Sequence, residues 1–186
     1  MSIRISGGVA RGLRLPPVKE QGTRPTSGRV RSAIFSILGD VVDNARVLDL
    51  FAGSGAYGIE ALSRGAVWAD FVESHSRRCS ALRSSLQHLQ YAERAAVYCA
   101  KAERATVLLE GSYGIVFLDP PYGYTGLNEF MDRLMTSQLV DQHTLVVLEH
   151  SRHDQPLAVH GAFPLAKQRR YGETVISIYA YGRAAW

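Results

Sequence analysis

The chain has 186 residues, 46% of them hydrophobic and 20% charged, a composition that excludes a disordered, collagen-like or coiled-coil protein. Its length suits one domain, perhaps with a small appendage, and buries roughly 70% of the unfolded surface without covalent staples. The net charge of +4 is uneven: residues 1–40 hold Arg4, Arg11, Arg14, Lys19, Arg24, Arg29 and Arg31 against Glu20 and Asp40, an excess of five, which leaves −1 for the rest. Such placement points either to an anionic partner, most simply nucleic acid, or to a solvated basic surface.

In chain order, Ile3-Arg4-Ile5 and Gly12-Leu13-Arg14-Leu15 alternate around Gly7-Gly8, a short hairpin with its arginines on the wet face. Pro16-Pro17 ends it and residues 18–25 form a loop. Thr26 or Ser27 then caps a helix whose apolar stripe is Val30, Ala33, Ile34, Ile37 and Leu38, with Arg29 and Arg31 in the first turn and Gly39 closing it. From residue 46 strands and helices alternate. Strands are expected at 47–50, 67–73, 96–100, 114–118 and 144–149. Helices are expected from the glycine-rich turn to Gly65, then at 75–90, 102–110 and 126–136, with Cys79, Leu82, Leu86 and Leu89 on one face of the second. Apolar strands separated by helices signal a parallel sheet covered on both faces. Phe163–Arg170 and Thr174–Tyr181 then read as a hairpin adding antiparallel strands to one edge.

Cys79 and Cys99 make neither a disulfide framework nor a zinc motif, and are expected as buried or half-buried thiols of a reducing compartment. No apolar run approaches the ~18 residues of a membrane span, and Met1–Arg4 leads directly into basic and turn residues instead of a secretory signal. A cytoplasmic protein is expected.

The richest segment is Val47-Leu48-Asp49-Leu50-Phe51-Ala52-Gly53-Ser54-Gly55-Ala56-Tyr57-Gly58. Gly53, Gly55 and Gly58 satisfy G-x-G-x-x-G between a strand and a helix, and Glu73 ends the next strand. Glycines admit a ligand close to the backbone, the helix start offers unpaired N–H groups, and the acid can accept ribose hydroxyls. Asp49 sits where it would repel a pyrophosphate but attract an ammonium or sulfonium, and no second half remains to hold a nicotinamide. S-adenosylmethionine fits both facts. Asp49 can also cap backbone N–H groups, and the two roles are compatible.

The fourth strand ends in Asp119-Pro120-Pro121-Tyr122. Ligands bind outside the carboxyl ends of strands in such sheets, so this tetrapeptide faces the glycine turn. An exocyclic base amine is a poor nucleophile because its lone pair is drawn into the ring. The Asp119 carboxylate and Pro120 carbonyl can accept its two hydrogens and aim the lone pair, the prolines hold that geometry, and Tyr122 can stack on an unstacked base. No metal is required.

The [DN]-P-P-[YF] element and the D-x-F-A-G-S-G loop resemble those of amino-methylating class I methyltransferases. Thr23-Arg24-Pro25-Thr26-Ser27, Arg29-Val30-Arg31, the Phe35–Leu38 helix, Gly58–Ala66, Glu149-His150 and Tyr171-Gly172-Glu173-Thr174 are narrower. They resemble the bacterial 16S rRNA guanine-N2 methyltransferase family of RsmD type, essentially end to end. The resemblance implies a class I, Rossmann-like α/β fold: a mostly parallel seven-stranded sheet with a C-terminal antiparallel hairpin, plus the basic N-terminal extension (1–40) before a catalytic domain (41–186). It implies S-adenosylmethionine as donor and the N2 amine of a guanine in 16S rRNA as acceptor, on a 30S assembly intermediate, by a chain acting as a monomer. By residue, it implies that Asp49, Phe51, Ala52, Gly53, Ser54 and Gly55 line the methionine end of the cofactor, Glu73 the ribose and Ala102 the adenine. Asp119, Pro120, Pro121 and Tyr122 would form the catalytic loop. Thr23, Arg24, Thr26, Arg29 and Arg31, with the hairpin's Arg4, Arg11 and Arg14, would contact RNA.

Departures are Lys101, where the family often has an acid toward the adenine, and Gly28, where it often has Asp. Arg64 is expected as a solvated helix-end cation. His150 could act as a base but is read as structural. Lys167, Arg169 and Arg170 either guard an edge strand or contact RNA. The alternatives are methylation of another amine (DNA adenine or cytosine, protein glutamine), a dinucleotide-dependent oxidoreductase, and a non-enzymatic RNA-binding factor.

Overall fold

A computed structural model describes residues 4–15 and 28–182. Its sheet is built on β1 (Arg46–Leu50), β2 (Trp68–Glu73), β3 (Ala95–Cys99), β4 (Ile115–Leu118) and β5 (Leu145–Ser151), continued by β6 (Val159–His160), β7 (Phe163–Tyr171) and β8 (Thr174–Ala180). The spatial order is β3-β2-β1-β4-β5-β8-β7-β6. The first five strands are parallel, and β8 and β7 are antiparallel additions to β5. The sheet therefore has eight strands, not seven. The extra one is the two-residue β6, which pairs only Val159 with Pro164 and His160 with Phe163 and is too short to show a period-two pattern.

Helices α1 (Gly28–Leu38), α2 (Ala56–Ser63), α3 (Ser76–His88), α4 (Ala105–Leu108) and α5 (Leu127–Met135) cover the two faces. One core joins α1, α2, α3 and the N-terminal arm to Val47, Phe71, Phe117, Val147 and Ile176. The other joins α4 and α5 to Leu48, Val116, Leu118 and Val146. Alternate residues of each strand thus enter opposite cores, which explains the continuous apolar runs. Among the described residues no helix is long and apolar enough to cross a membrane.

Three local expectations change. The helix at 102–110 shrinks to a 3-10 turn, Ala102–Arg104, and the single turn of α4. A longer helix would bury little more, because Val107 and Leu108 face solvent. The α1 stripe is rotated: Arg31 and Phe35 are buried while Ala33 and Ile37 are only half-buried, because Phe35 packs on Phe117 at 5.6 Å between ring centroids. Cys79 is buried, but Cys99 is exposed, at the end of the edge strand β3.

The expected N-terminal hairpin is short: Arg4 bridges Arg14, the Ile5 N–H donates to the Leu13 carbonyl and the Gly12 N–H to the Ile5 carbonyl, both at 2.9 Å, and the arm is also bonded to α2. The Val9 N–H donates to the Ser63 carbonyl at 2.8 Å and the Ala10 N–H to Ser63 Oγ at 3.0 Å. Ser63 Oγ donates to the Gly7 carbonyl at 2.7 Å. A Cβ on Gly8, at φ +74°, would stand 1.8 Å from the Ser63 carbonyl oxygen, so only glycine permits this approach. All eight residues of α2 are consequently buried. The expected proline stop, the 18–25 loop and the Thr26 or Ser27 cap lie outside the described residues.

Candidate active site

β1 pairs with β2 on one side and β4 on the other, so the chain reverses direction across the sheet at β1, where open α/β sheets form their binding crevice. The turn Phe51–Gly55 leaves β1 there. Its φ angles are +59° at Phe51, +54° at Gly53 and +75° at Gly55. Two of these fall on glycine. Phe51 carries a local strain of about 1–3 kcal/mol and is held edge-on against Tyr124 and Phe130, with centroids 5.2 and 5.6 Å away.

The three glycines have different duties. A Cβ on Gly55 would come within 2.3 Å of Leu82 Cδ1, and one on Gly58 within 2.3 Å of Phe71 Cε1. Both let α2 lie close on the sheet. A Cβ on Gly53 would meet nothing nearer than 3.9 Å, so open space adjoins the turn at that residue. Backbone N–H donors also hold the turn: Ala52 to the Val72 carbonyl at 3.0 Å and Gly55 to the Ala52 carbonyl at 2.7 Å.

Two carboxyl groups flank the turn. Asp49 is buried and accepts the Gly58 N–H at 2.9 Å, the capping role open to it from sequence. Burial pushes its pKa up to about 8; the Gly58 N–H opposes the shift and the Glu73 charge adds to it. A group poised this way gains most from an arriving fixed cation. Glu73 is also buried, and accepts the Gly53 N–H at 2.8 Å on one oxygen and the His75 N–H at 2.7 Å on the other. It thereby ties the glycine turn to the end of β2. The Ala100 N–H donates to the Glu73 carbonyl at 3.0 Å, bringing the β3 exit beside it. There Ala102 is buried and Lys101 exposed; Ser54 is half-buried. The open side at Gly53, the fixed Glu73 and the buried Asp49 fit an adenosine-bearing sulfonium cofactor. Among the described residues no cluster of three metal-ligating side chains occurs.

Asp119-Pro120-Pro121-Tyr122 follows β4 directly. Asp119 is half-buried, Pro120 buried, Pro121 exposed, and Tyr122 48% exposed. The Tyr122 hydroxyl lies 3.3 Å from Thr174 Oγ1, so its ring reaches across to the β7–β8 hairpin. The Tyr124 N–H donates to the Pro121 carbonyl at 3.1 Å, closing the turn. Sequence spacing does not single out Tyr57. Its ring stacks on Phe117 at 5.1 Å and 7°, and its hydroxyl donates to Glu149 in a short hydrogen bond. Burial first, then the charges of Glu149, Asp119 and Asp49, raise the Tyr57 pKa well above the ordinary phenol value. Its proton stays in place and the three carboxyl groups surround it.

The family described as Conserved hypothetical protein 95 matches residues 3–180. YlbH of Bacillus subtilis is 34% identical over 180 residues, covering 95% of this chain and 98% of YlbH. Ribosomal RNA small subunit methyltransferase D of Escherichia coli is 33% identical over 177 residues, covering 95% and 89%. The solved structure of Escherichia coli yhhF superposes with a TM-score of 0.86 at 32% identity, covering 99% of this chain and 100% of that one. The chain belongs to the RsmD-type rRNA methyltransferase family.

On this RsmD-type framework the basic residues divide. Arg4, Arg11, Arg14 and Arg29 are exposed; Thr23, Arg24 and Thr26 lie outside the described residues. Arg31 is not a surface cation. It is 1% exposed, pairs with Glu60 at 3.2 Å and donates to the Arg4 carbonyl. Arg64 is not a solvated helix end either. It pairs with Glu60 at 2.9 Å and lies over the Phe35 ring at 5.0 Å. Glu60 also accepts the Ser6 N–H at 2.8 Å and the Ser6 hydroxyl at 2.7 Å. Burial opposes its ionisation, but the Ser6 donors, Arg64 and Arg31 together hold its pKa below the usual carboxylate value. His150 is locked by the Ser151 carbonyl at 2.8 Å on Nδ1 and Ser177 Oγ at 2.9 Å on Nε2, and burial lowers its pKa. A ring nitrogen facing a carbonyl must donate, so Nδ1 carries a hydrogen, and both ring nitrogens are taken up by these contacts. On β7, Arg169 and Arg170 are exposed and bond to nearby backbone carbonyls, while Lys167 is half-buried.

Proposed function

We propose that this chain transfers a methyl group from S-adenosylmethionine to the exocyclic N2 amine of a guanine in 16S rRNA, within a small-subunit assembly intermediate. One observation carries the reading: the Asp119-Pro120-Pro121-Tyr122 turn leaves β4 beside the glycine turn of β1, whose buried Asp49 suits a sulfonium. When bound, the cofactor supplies an electrophilic methyl group on its sulfonium. Asp49 sets the local charge for it, and Glu73, anchored by the Gly53 and His75 N–H groups, accepts the ribose hydroxyls. Asp119 accepts one amine hydrogen and the Pro120 carbonyl the other, which localises the nitrogen lone pair perpendicular to the base plane. Pro120 is buried and holds this geometry before the base arrives. Tyr122 leaves Thr174 to stack on the base, worth about 1–3 kcal/mol. After transfer the amine proton passes to water. Arg4, Arg11, Arg14 and Arg29, with Thr23, Arg24 and Thr26, contact RNA phosphates.

Mass spectrometry of 16S rRNA from cells with and without the protein tests this reading. One N2-methylguanosine should vanish without it, and return with the parent chain but not with Asp119→Ala. The purified variant should still bind S-adenosylmethionine. An unchanged rRNA methylation pattern, or an Asp119→Ala chain that restores the mark, would overturn it.

A further inference from the structure

We propose that Lys167 and Arg169 of β7 hold phosphates of the rRNA strand beside the target base, so that the C-terminal hairpin and the basic N-terminal arm grip the substrate from two sides. This rests on the rRNA-methylating reading above. The β7–β8 register pairs Lys167 with Ile178 and Arg169 with Ile176. Paired residues of an antiparallel ladder point to one face, and Ile176 and Ile178 enter the core that holds α1, α2 and the arm. Tyr57 lies in that core, stacked on Phe117, and the Asp119 charge acts on it. The two cations, the exposed Arg29 of α1 and the catalytic turn therefore share one side of the sheet. Arg170 pairs with Val175 and turns to the opposite side, that of Tyr179.

The hairpin tip stands at the catalytic end of the sheet. Thr174 pairs with Tyr171 within the hairpin and with Ser151 at the end of β5, and its Oγ1 lies 3.3 Å from the Tyr122 hydroxyl. Arg169 is two residues from Tyr171, about 7 Å along the strand. β7 is three strand spacings from β4, about 14 Å. RNA that places a base in the Asp119 turn thus passes Arg169 within a few nucleotides.

The local chemistry suits phosphate. Among the described residues neither Lys167 nor Arg169 pairs with a carboxylate, and Glu173, the acid nearest in sequence, is held by Arg152 at 2.7 Å. Arg169 Nη1 donates to the Gln168 carbonyl at 2.8 Å. That bond steadies a guanidinium with five N–H donors and leaves others for phosphate oxygens. Lys167 is half-buried, so its apolar stem covers the sheet while its ammonium reaches water. Among the described residues β7 has no strand on its outer side beyond Pro164, and cations there also discourage pairing with another chain. Guarding an edge gives no reason for Lys167 and Arg169 to differ from Arg170. A phosphate strand on one side of the sheet does.

The test follows methyl transfer to small-subunit particles from cells lacking the protein, because turnover counts only complexes with the base seated. Each phosphate contact adds about 0.7–0.9 to the slope of log affinity against log salt. Lys167→Ala and Arg169→Ala should melt like the parent, keep its kcat and raise KM. Between about 50 and 200 mM salt, each should lose about threefold less kcat/KM than the parent. Arg170→Ala removes the same charge from the same strand and should keep the parent's salt dependence. The parent's salt dependence in Lys167→Ala and Arg169→Ala, or an equal change in Arg170→Ala, would overturn the proposal alone. An azidophenacyl group on Arg169→Cys, in a Cys99→Ser background that removes the exposed thiol, should cross-link to 16S rRNA. Cross-links to a ribosomal protein alone would overturn RNA as the partner. A parent that leaves the particles unmethylated would overturn the underlying reading and the proposal with it.

Discussion

Arg31→Ala separates a structural cation from an RNA contact. Arg31 and Glu60 are each 1% exposed, and the guanidinium makes two bonds, Nε to Glu60 and Nη2 to the Arg4 carbonyl. Breaking a buried ion pair costs about 3–5 kcal/mol. Two features reduce that cost here. Glu60 keeps three other donors, the Ser6 N–H, the Ser6 hydroxyl and Arg64. Among the described residues Arg31 Nη1 has no partner, so its desolvation already burdens the parent. The expected loss is about 3 kcal/mol, near the low end of that range. At roughly 2–4 °C per kcal/mol for a domain of this size, the melting temperature falls by about 6–12 °C. Urea denaturation should show a lower midpoint at unchanged slope. The salt dependence of RNA binding should stay that of the parent, whereas Arg29→Ala should reduce its slope by about one phosphate contact. An Arg31→Ala chain with the parent's midpoint and a reduced salt slope would refute the structural assignment.

Three further outcomes follow from the site. With the folded Asp49 carboxyl near pKa 8 and its unfolded value near 3.8, the folded chain holds a proton between these values that the unfolded chain has lost. Asp49 therefore costs stability progressively as pH rises through that window. Cofactor binding should release up to one proton below pH 8, and affinity should drop as pH falls from 8 to 6. Calorimetry in two buffers of different ionisation enthalpy measures the proton, and Asp49→Asn should abolish both effects; buffer-independent heats with flat affinity would contradict the charge argument. Gly58→Ala drives a Cβ to 2.3 Å from the Phe71 ring and should cost about 1–3 kcal/mol together with cofactor affinity. Adding Phe71→Leu should recover part of both, and no recovery would mean that the contact is not the cause. Glu60, whose pKa is lowered, contributes stability that is complete above its unfolded value of 4.5 and lost as pH falls through its folded one. Glu60→Gln should flatten that part of the acid denaturation curve, and an unchanged acid limb would argue against the role.

The sequence by itself determined the alternating parallel strands, the glycine turn, the two acids around it and the tetrapeptide after the fourth strand. These signals are local: a period of two or 3.6, glycines at set intervals, prolines at a strand end. The carboxyl ends of parallel strands then lie on one edge by topology alone, which is why motifs 60 to 70 residues apart could be read as facing each other. What only the tertiary structure decided was the fate of the charges and the partners of side chains. Arg29 and Arg31 are two residues apart on one helix, yet one meets solvent and the other is sealed against Glu60 by an arm from residues 4–15. Tyr57 occupies an unconstrained position within the glycine motif, and its pairing with Glu149 spans 92 residues. Net charge and spacing count groups along the chain. Burial depends on which distant segment covers them, and at Glu60 and Tyr57 it makes an ordinary residue an anchor for others.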